Sequence, residues 1–201
     1  MNYRVVVLVS GAGTLLQALL DAERDGRLQA SVVAVGSEMP DCAGLERART
    51  AGVPTFCVPM PVLLARDSAA RAAWDEQFAR AVERYDPDLI VLAGFMKLLG
   101  QPFMSGFRGR IINSHPALLP AFPGAHAVRD ALAAGAKSTG ATIFWVDDGV
   151  DSGAIIAQHE VPIVADDDEA TLHERIKVAE RDMLVHTVND LAANRGKVID
   201  V

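Results

Sequence analysis

The sequence predicts an α/β fold: a mostly parallel, twisted sheet of about seven strands with helices on both faces. Two observations predict it. Short β-branched runs alternate with longer stretches of helical period, and the first four runs are nearly continuously apolar. A strand covered by helices on both faces has no solvent side, so it loses the alternation of apolar and polar residues. With 201 residues, half of them apolar, the chain can bury roughly 70% of the surface its unfolded form exposes. One domain spanning 1–201 is therefore expected.

The first strand is read at Arg4–Val9, followed by Ser10-Gly11-Ala12-Gly13-Thr14 and a helix over Thr14–Arg24 that Gly26 stops. Ser31–Val35 is the second strand, Ala43–Ala51 a helix stopped by Gly52, and Thr55–Val58 the third strand. A long helix is expected over Arg66–Tyr85, and Leu89–Ala93 is the fourth strand. Glycine and proline punctuation between Gly94 and Gly109 reads as a junction between two lobes of the domain, about 1–100 and 101–201. The segment is neither long nor polar enough for a flexible linker. Beyond it come a strand at Arg110–Asn113, a helix at His126–Ala134 stopped by Gly135, and strands at Ala141–Val146 and Ile155–Val161. The last helix is read at Glu169–Asn194, with the acidic run Asp166–Glu169 as its cap and first turn.

Charge and cysteine usage exclude several classes of function. A net charge of −7 with no Lys/Arg cluster gives no field for nucleic acid. Cys42 and Cys57 follow no metal-ligand spacing and read as two reduced thiols, so no metal is expected. The amino terminus enters a strand without a charged leader, and no apolar run reaches the ~18 residues of a membrane span, so a cytoplasmic protein without membrane partners is expected.

In doubly wound sheets ligands bind beyond the carboxyl ends of the strands, so the segments that follow strands carry the candidates. Ser10–Thr14 offers two glycines and free helix-start N–H groups, which suit a monophosphate; a third glycine is replaced by Leu16 and a P-loop lysine is absent. A tight turn without a ligand explains the glycines equally well. Asn113-Ser114-His115-Pro116, continuing through Pro120 and Pro123-Gly124-Ala125-His126, places an amide and an imidazole in a segment stiffened by prolines. The amide can donate to an oxygen gaining charge and the imidazole titrates near neutrality, which together suit acyl transfer. The turn Asp147-Asp148-Gly149-Val150-Asp151-Ser152-Gly153 is accounted for by hairpin preferences alone, yet Asp151, if it faced His115, would orient the imidazole. His126 reads as a residue that supports the candidate groups from behind or as a capping residue, and His159, His173 and His186 as surface or packing residues. Trp74 and Trp145 read as core, and no serine-hydrolase elbow surrounds Ser10.

Val7–Thr14, Leu45-Glu46-Arg47-Ala48, Val91–Lys97 and the two later segments together resemble the phosphoribosylglycinamide formyltransferases over essentially the whole chain. The resemblance implies the Rossmann-like formyltransferase fold, with 10-formyltetrahydrofolate as the donor cosubstrate and glycinamide ribonucleotide as the acceptor, and it leaves a homodimer open. By matching motif it implies Asn113, His115 and Asp151 as the catalytic set. Gly13, Thr14, Leu15 and Glu180 would then meet the acceptor. Arg71, Met96, Lys97, Leu98, Leu99, Asn113, Asp147, Asp148, Gly149, Val150 and Asp151 would line the folate site. Two positions depart from the pattern: many members have Asn where this chain has Leu15, and a second His where it has Phe144. The related formyltetrahydrofolate hydrolases carry a further amino-terminal domain, and the methionyl-tRNA formyltransferases a basic carboxy-terminal one; neither pattern is expected here. A formyltetrahydrofolate hydrolase, which shares the Asn-x-His and Asp pattern, and a non-catalytic folate- or nucleotide-binding module are the alternatives.

Overall fold

The computed structural model describes residues 2–61 and 68–194. Seven strands, β1 (Tyr3–Leu8), β2 (Ala30–Ser37), β3 (Thr55–Cys57), β4 (Leu89–Leu92), β5 (Ile111–His115), β6 (Ser138–Trp145) and β7 (Ile155–Pro162), form one sheet in the order β3-β2-β1-β4-β5-β6-β7. The first five run parallel; β6 is antiparallel to β5, and β7 to β6. The helices are α1 (Thr14–Arg24), α2 (Ala43–Thr50), α3 (Ala69–Glu83), α4 (Gln101–Phe107), α5 (Ala127–Ala133) and α6 (Glu169–Ala193). Among the described residues no helix is long and apolar enough to cross a membrane.

The continuous apolar runs have the expected cause. Along β1 and just beyond it, Val5, Val7 and Val9 face α1, α2 and α6, while Val6 and Leu8 face α3 and α4, and all five are fully buried. Each such side chain contributes about 1.5–3 kcal/mol through removal from water. On the second face Trp74, Phe78, Phe95, Phe103 and Phe107 pack ring on ring, with centroids from 4.9 to 5.9 Å apart.

Three expectations need correction. The segment between Gly94 and Gly109 is not merely a junction, because it contains α4. Gly100 stands at the N-cap and Pro102 in the first turn, where a missing N–H is tolerated, while Phe103, Met104 and Phe107 form a buried stripe. β5 does not stop at Asn113 but continues through Ser114 and His115, paired across to Ile143 and Thr142 of β6. The long third helix begins at Ala69 with Ser68 as its cap; Arg66 and Asp67, where its start was expected, lie outside the described residues. Gly26, Gly52 and Gly135 follow α1, α2 and α5 as read. Asp168 caps α6 in a reciprocal capping box with Thr171.

The strand order reverses between β1 and β4, the place where doubly wound sheets bind their ligands. The loops that follow these strands, Ser10–Thr14 and Gly94–Gly100, meet there, the Ser10 N–H donating to the Gly94 carbonyl at 3.2 Å. The end of β5 comes next to them.

Candidate active site

Strand alternation sends Asn113 and His115 to one face of β5 and Ser114 to the other. His115 is 4% exposed. Its Nε2 lies 2.8 Å from the Phe122 carbonyl, which can only accept, so the proton of that hydrogen bond belongs to Nε2. Its Nδ1 lies 3.5 Å from Asp151 Oδ2, and the same carboxylate oxygen accepts from the Gly124 N–H at 2.8 Å. Phe122 and Asp151 hold left-handed backbone angles, φ 54° and 52°, which cost on the order of 1–3 kcal/mol each in a residue with a side chain. The proline-rich segment and the acidic turn are thus both bent toward the imidazole. Among the described residues the Asn113 amide has no protein hydrogen-bond partner, which leaves both its donors for a ligand.

Gly13, at φ 69°, is the N-cap of α1, and no side chain caps the helix start. A Cβ on Gly13 would stand 2.7 Å from the Gly44 Cα, so glycine is required by conformation and by the approach of α2. The N–H groups of Thr14 and Leu15 open the helix and, with its dipole, suit an anion. Leu15 offers only its backbone, because its side chain lies in the core with Leu16 and Leu19. Ser10 joins this turn to its neighbours: its hydroxyl donates to Glu38 Oε1 at 2.7 Å and accepts from the Met96 N–H at 2.8 Å. From α6, Glu180 reaches β5, where its Oε1 accepts from the Ser114 hydroxyl at 2.7 Å. Burial pushes the Glu180 carboxyl above the usual range, opposed by the Ser114 hydrogen bond and by Lys177 and Arg181.

Met96 and Leu98 are exposed on the loop after β4. Arg71 lies beneath that loop rather than on it. It is buried, its Nε donates to Asp75 Oδ2 at 3.0 Å and its Nη2 donates to the Leu98 carbonyl, while Asp75 Oδ1 accepts from the Gly100 N–H at 3.1 Å. The acidic turn is folded on itself by Asp147, whose Oδ1 accepts from the Gly149 N–H and the Ser152 hydroxyl. It is tied down by Asp148, whose two carboxylate oxygens both accept from Arg108 Nη2 at 2.9 Å and whose Oδ1 also accepts from the Gln101 amide at 3.0 Å.

The structure therefore gathers Asn113, His115 and Asp151, and places Gly13, Thr14, Leu15 and Glu180 on one side and Met96–Leu99 and Asp147–Val150 on loops beside them. His126 occupies the N-cap of α5 without a side-chain cap hydrogen bond, so its reading as a capping residue holds only for position. Sequence reasoning missed Ser114, Glu38 and Arg108. The first two had a readable signal: Ser114 sits between two candidates on a strand, and Glu38 is an acid directly after β2.

Comparison with known proteins adds independent findings. The family model described as formyl transferase matches residues 3–188. The chain is 52% identical over 196 residues to a phosphoribosylglycinamide formyltransferase of Mycobacterium tuberculosis, covering 98% of this chain and 88% of that one. It is 38% identical over 194 residues to the Escherichia coli protein of the same name, covering 96% and 89%. Among solved structures, glycinamide ribonucleotide transformylase 1 from Symbiobacterium toebii superposes with a TM-score of 0.89 at 40% identity, covering 96% of this chain and 89% of that one. Near-full-length identity, shared fold and a matching family model agree with the site geometry, and the chain belongs to the formyl transferase family.

Proposed function

We propose that the chain transfers the formyl group of 10-formyltetrahydrofolate to the amine of glycinamide ribonucleotide, giving formylglycinamide ribonucleotide and tetrahydrofolate in purine synthesis. The observation that carries this reading is the His115–Asp151 contact of 3.5 Å beside the Asn113 amide, which has no protein partner among the described residues. The amine nitrogen attacks the formyl carbon, a carbon–nitrogen bond forms, and charge collects on the formyl oxygen. The Asn113 amide and His115 stabilise that oxygen, which replaces the Phe122 carbonyl as acceptor of the Nε2 hydrogen. Asp151 holds the imidazole and takes part in moving the surplus amine proton, through water, to the folate nitrogen as its bond to the formyl carbon breaks. No covalent bond to the enzyme is required.

In this reading the lobe up to about residue 100 supplies Gly13, Thr14 and Leu15 N–H groups to the acceptor phosphate, and Glu180 reaches the acceptor from α6. Met96, Lys97, Leu98, Leu99 and the Asp147–Asp151 turn line the folate, and Arg71 serves it by fixing the Leu98 carbonyl. Both substrates are soluble, which fits a cytoplasmic enzyme with no metal requirement.

The test is a spectrophotometric assay of donor deformylation with and without glycinamide ribonucleotide. Turnover that requires the acceptor is expected. Formate release without the acceptor would make the chain a hydrolase, and donor binding without turnover would make it a binding protein.

A further inference from the structure

Ser114 is the one residue of the Asn113–His115 stretch to which the reaction assigns no part, yet it is buried and its hydroxyl is committed. Strand alternation turns it away from the catalytic face and onto α6, where it donates to Glu180 Oε1 at 2.7 Å. Both partners are nearly inaccessible, Ser114 8% and Glu180 4% exposed. A carboxyl so enclosed resists ionisation unless donors face it, and here the donor comes from the strand that also bears the catalytic amide and imidazole.

We propose that Ser114 is a positioning residue for the acceptor: its hydroxyl fixes the rotamer of the Glu180 carboxyl, which accepts a hydrogen bond from an acceptor hydroxyl or amine. The inference rests on the function proposed above and adds a residue to it. Three groups act on the Glu180 charge besides burial: the Ser114 hydroxyl from β5, and Lys177 and Arg181 from α6 itself. Burial is the largest influence and raises the carboxyl; the Ser114 hydrogen bond comes next and lowers it. Loss of the hydroxyl must therefore move the carboxyl further up, so that a larger share of Glu180 is protonated at a given pH and cannot accept.

The experiment measures kcat and KM for acceptor and donor against pH in the unsubstituted chain, Ser114→Ala and Ser114→Thr. Carbon-13 titration of the glutamate carboxyls accompanies it, with the Glu180 signal assigned by Glu180→Gln. A hydrogen bond to a charged group is worth about tenfold or more in an equilibrium constant. Ser114→Ala is expected to raise the acceptor KM by about that factor, to leave the donor KM within about twofold and kcat within about threefold, and to move the acid limb of acceptor kcat/KM to higher pH together with the Glu180 carbon signal. Ser114→Thr, which keeps the hydroxyl, is expected to restore all of these. An Ala variant with unchanged acceptor KM and acid limb would overturn the inference. So would parallel losses toward donor and acceptor that threonine fails to rescue, because those mark a packing role. If the unsubstituted chain transfers no formyl group to the acceptor, the functional reading falls and the inference with it, a failure told apart because it precedes any substitution.

Discussion

The two halves of the sheet are built on different rules. In β1 and β4 the residues Val5–Leu8 and Leu89–Leu92 are at most 5% exposed, and their side chains serve packing alone. In β5 and β6 the buried set includes Ser114, His115, Thr139 and Thr142, and the outer strand β7 keeps Ile155, Gln158, His159 and Glu160 exposed. Where helices cover both faces a strand has no room for a reactive group, so the parallel half offers its ligand contacts from the loops beyond its strands. At β5, the last parallel strand, beyond which the sheet turns antiparallel, the candidate groups Asn113 and His115 lie on the strand itself. Stability should therefore reside in the first half and catalysis in the second.

The widest separation is expected between Asn113→Ala and Phe78→Ala. Asn113 donates to no protein atom among the described residues, so its loss should lower turnover by about 10²–10³ with an unchanged thermal midpoint. Phe78, fully buried among Trp74, Phe95 and Phe103, should cost about 3–5 kcal/mol of stability while the folded fraction keeps its kcat. Parallel kinetics and denaturant melts decide it, and a Phe78 variant that loses kcat before stability would show that the aromatic cluster serves the reaction as well as the fold.

Gly13→Ala should cross the boundary. The left-handed angle and the 2.7 Å approach to Gly44 strain any side chain there, at a cost of roughly 1–3 kcal/mol, and the displaced helix start should raise the acceptor KM about tenfold with the donor KM unchanged. A selective rise in the donor KM instead would place the turn on the wrong substrate. Arg108→Ala, which frees Asp148, should raise the donor KM only about two- to fivefold and change stability by less than about 1 kcal/mol, since that pair is half exposed.

A modest effect on stability alone is expected at Asp167. Hydrogen bonds from Arg175 and the Val164 N–H hold the Asp167 carboxyl down at about 2. A carboxyl lowered on folding stabilises above its unfolded value of roughly 3.9, and that contribution fades as pH falls toward about 2. Arg175→Ala should flatten the acid limb of stability across this window and leave neutral-pH turnover unchanged. An acid limb identical to that of the unsubstituted chain would show that the Asp167–Arg175 contact carries none of the acid sensitivity.

How much was legible follows the same division. The parallel half was readable because Val5–Val9 and Leu89–Leu92 have one task, and burial writes itself as an unbroken apolar run. The helix α4 was not, because Gly100, Pro102 and Gly106 are breakers in general and harmless at a helix start or on an open face; only the Phe103–Phe107 spacing betrays the turn. Asn113, His115 and Asp151 were legible as chemistry but not as geometry, since the contact between β5 and the acidic turn depends on the left-handed angles of Phe122 and Asp151, to which no residue type points. The Ser114–Glu180 bond joins residues 66 positions apart, and no local pattern announces such a pair.

In the proposed reaction Asp151 and His115 act together. The most direct measurement is acceptor-dependent turnover of Asp151→Asn, a substitution that keeps the size of the side chain and removes its charge. A fall of at least about 10² with the fold intact is expected; turnover within a few-fold of the unsubstituted chain would show that the carboxylate takes no part.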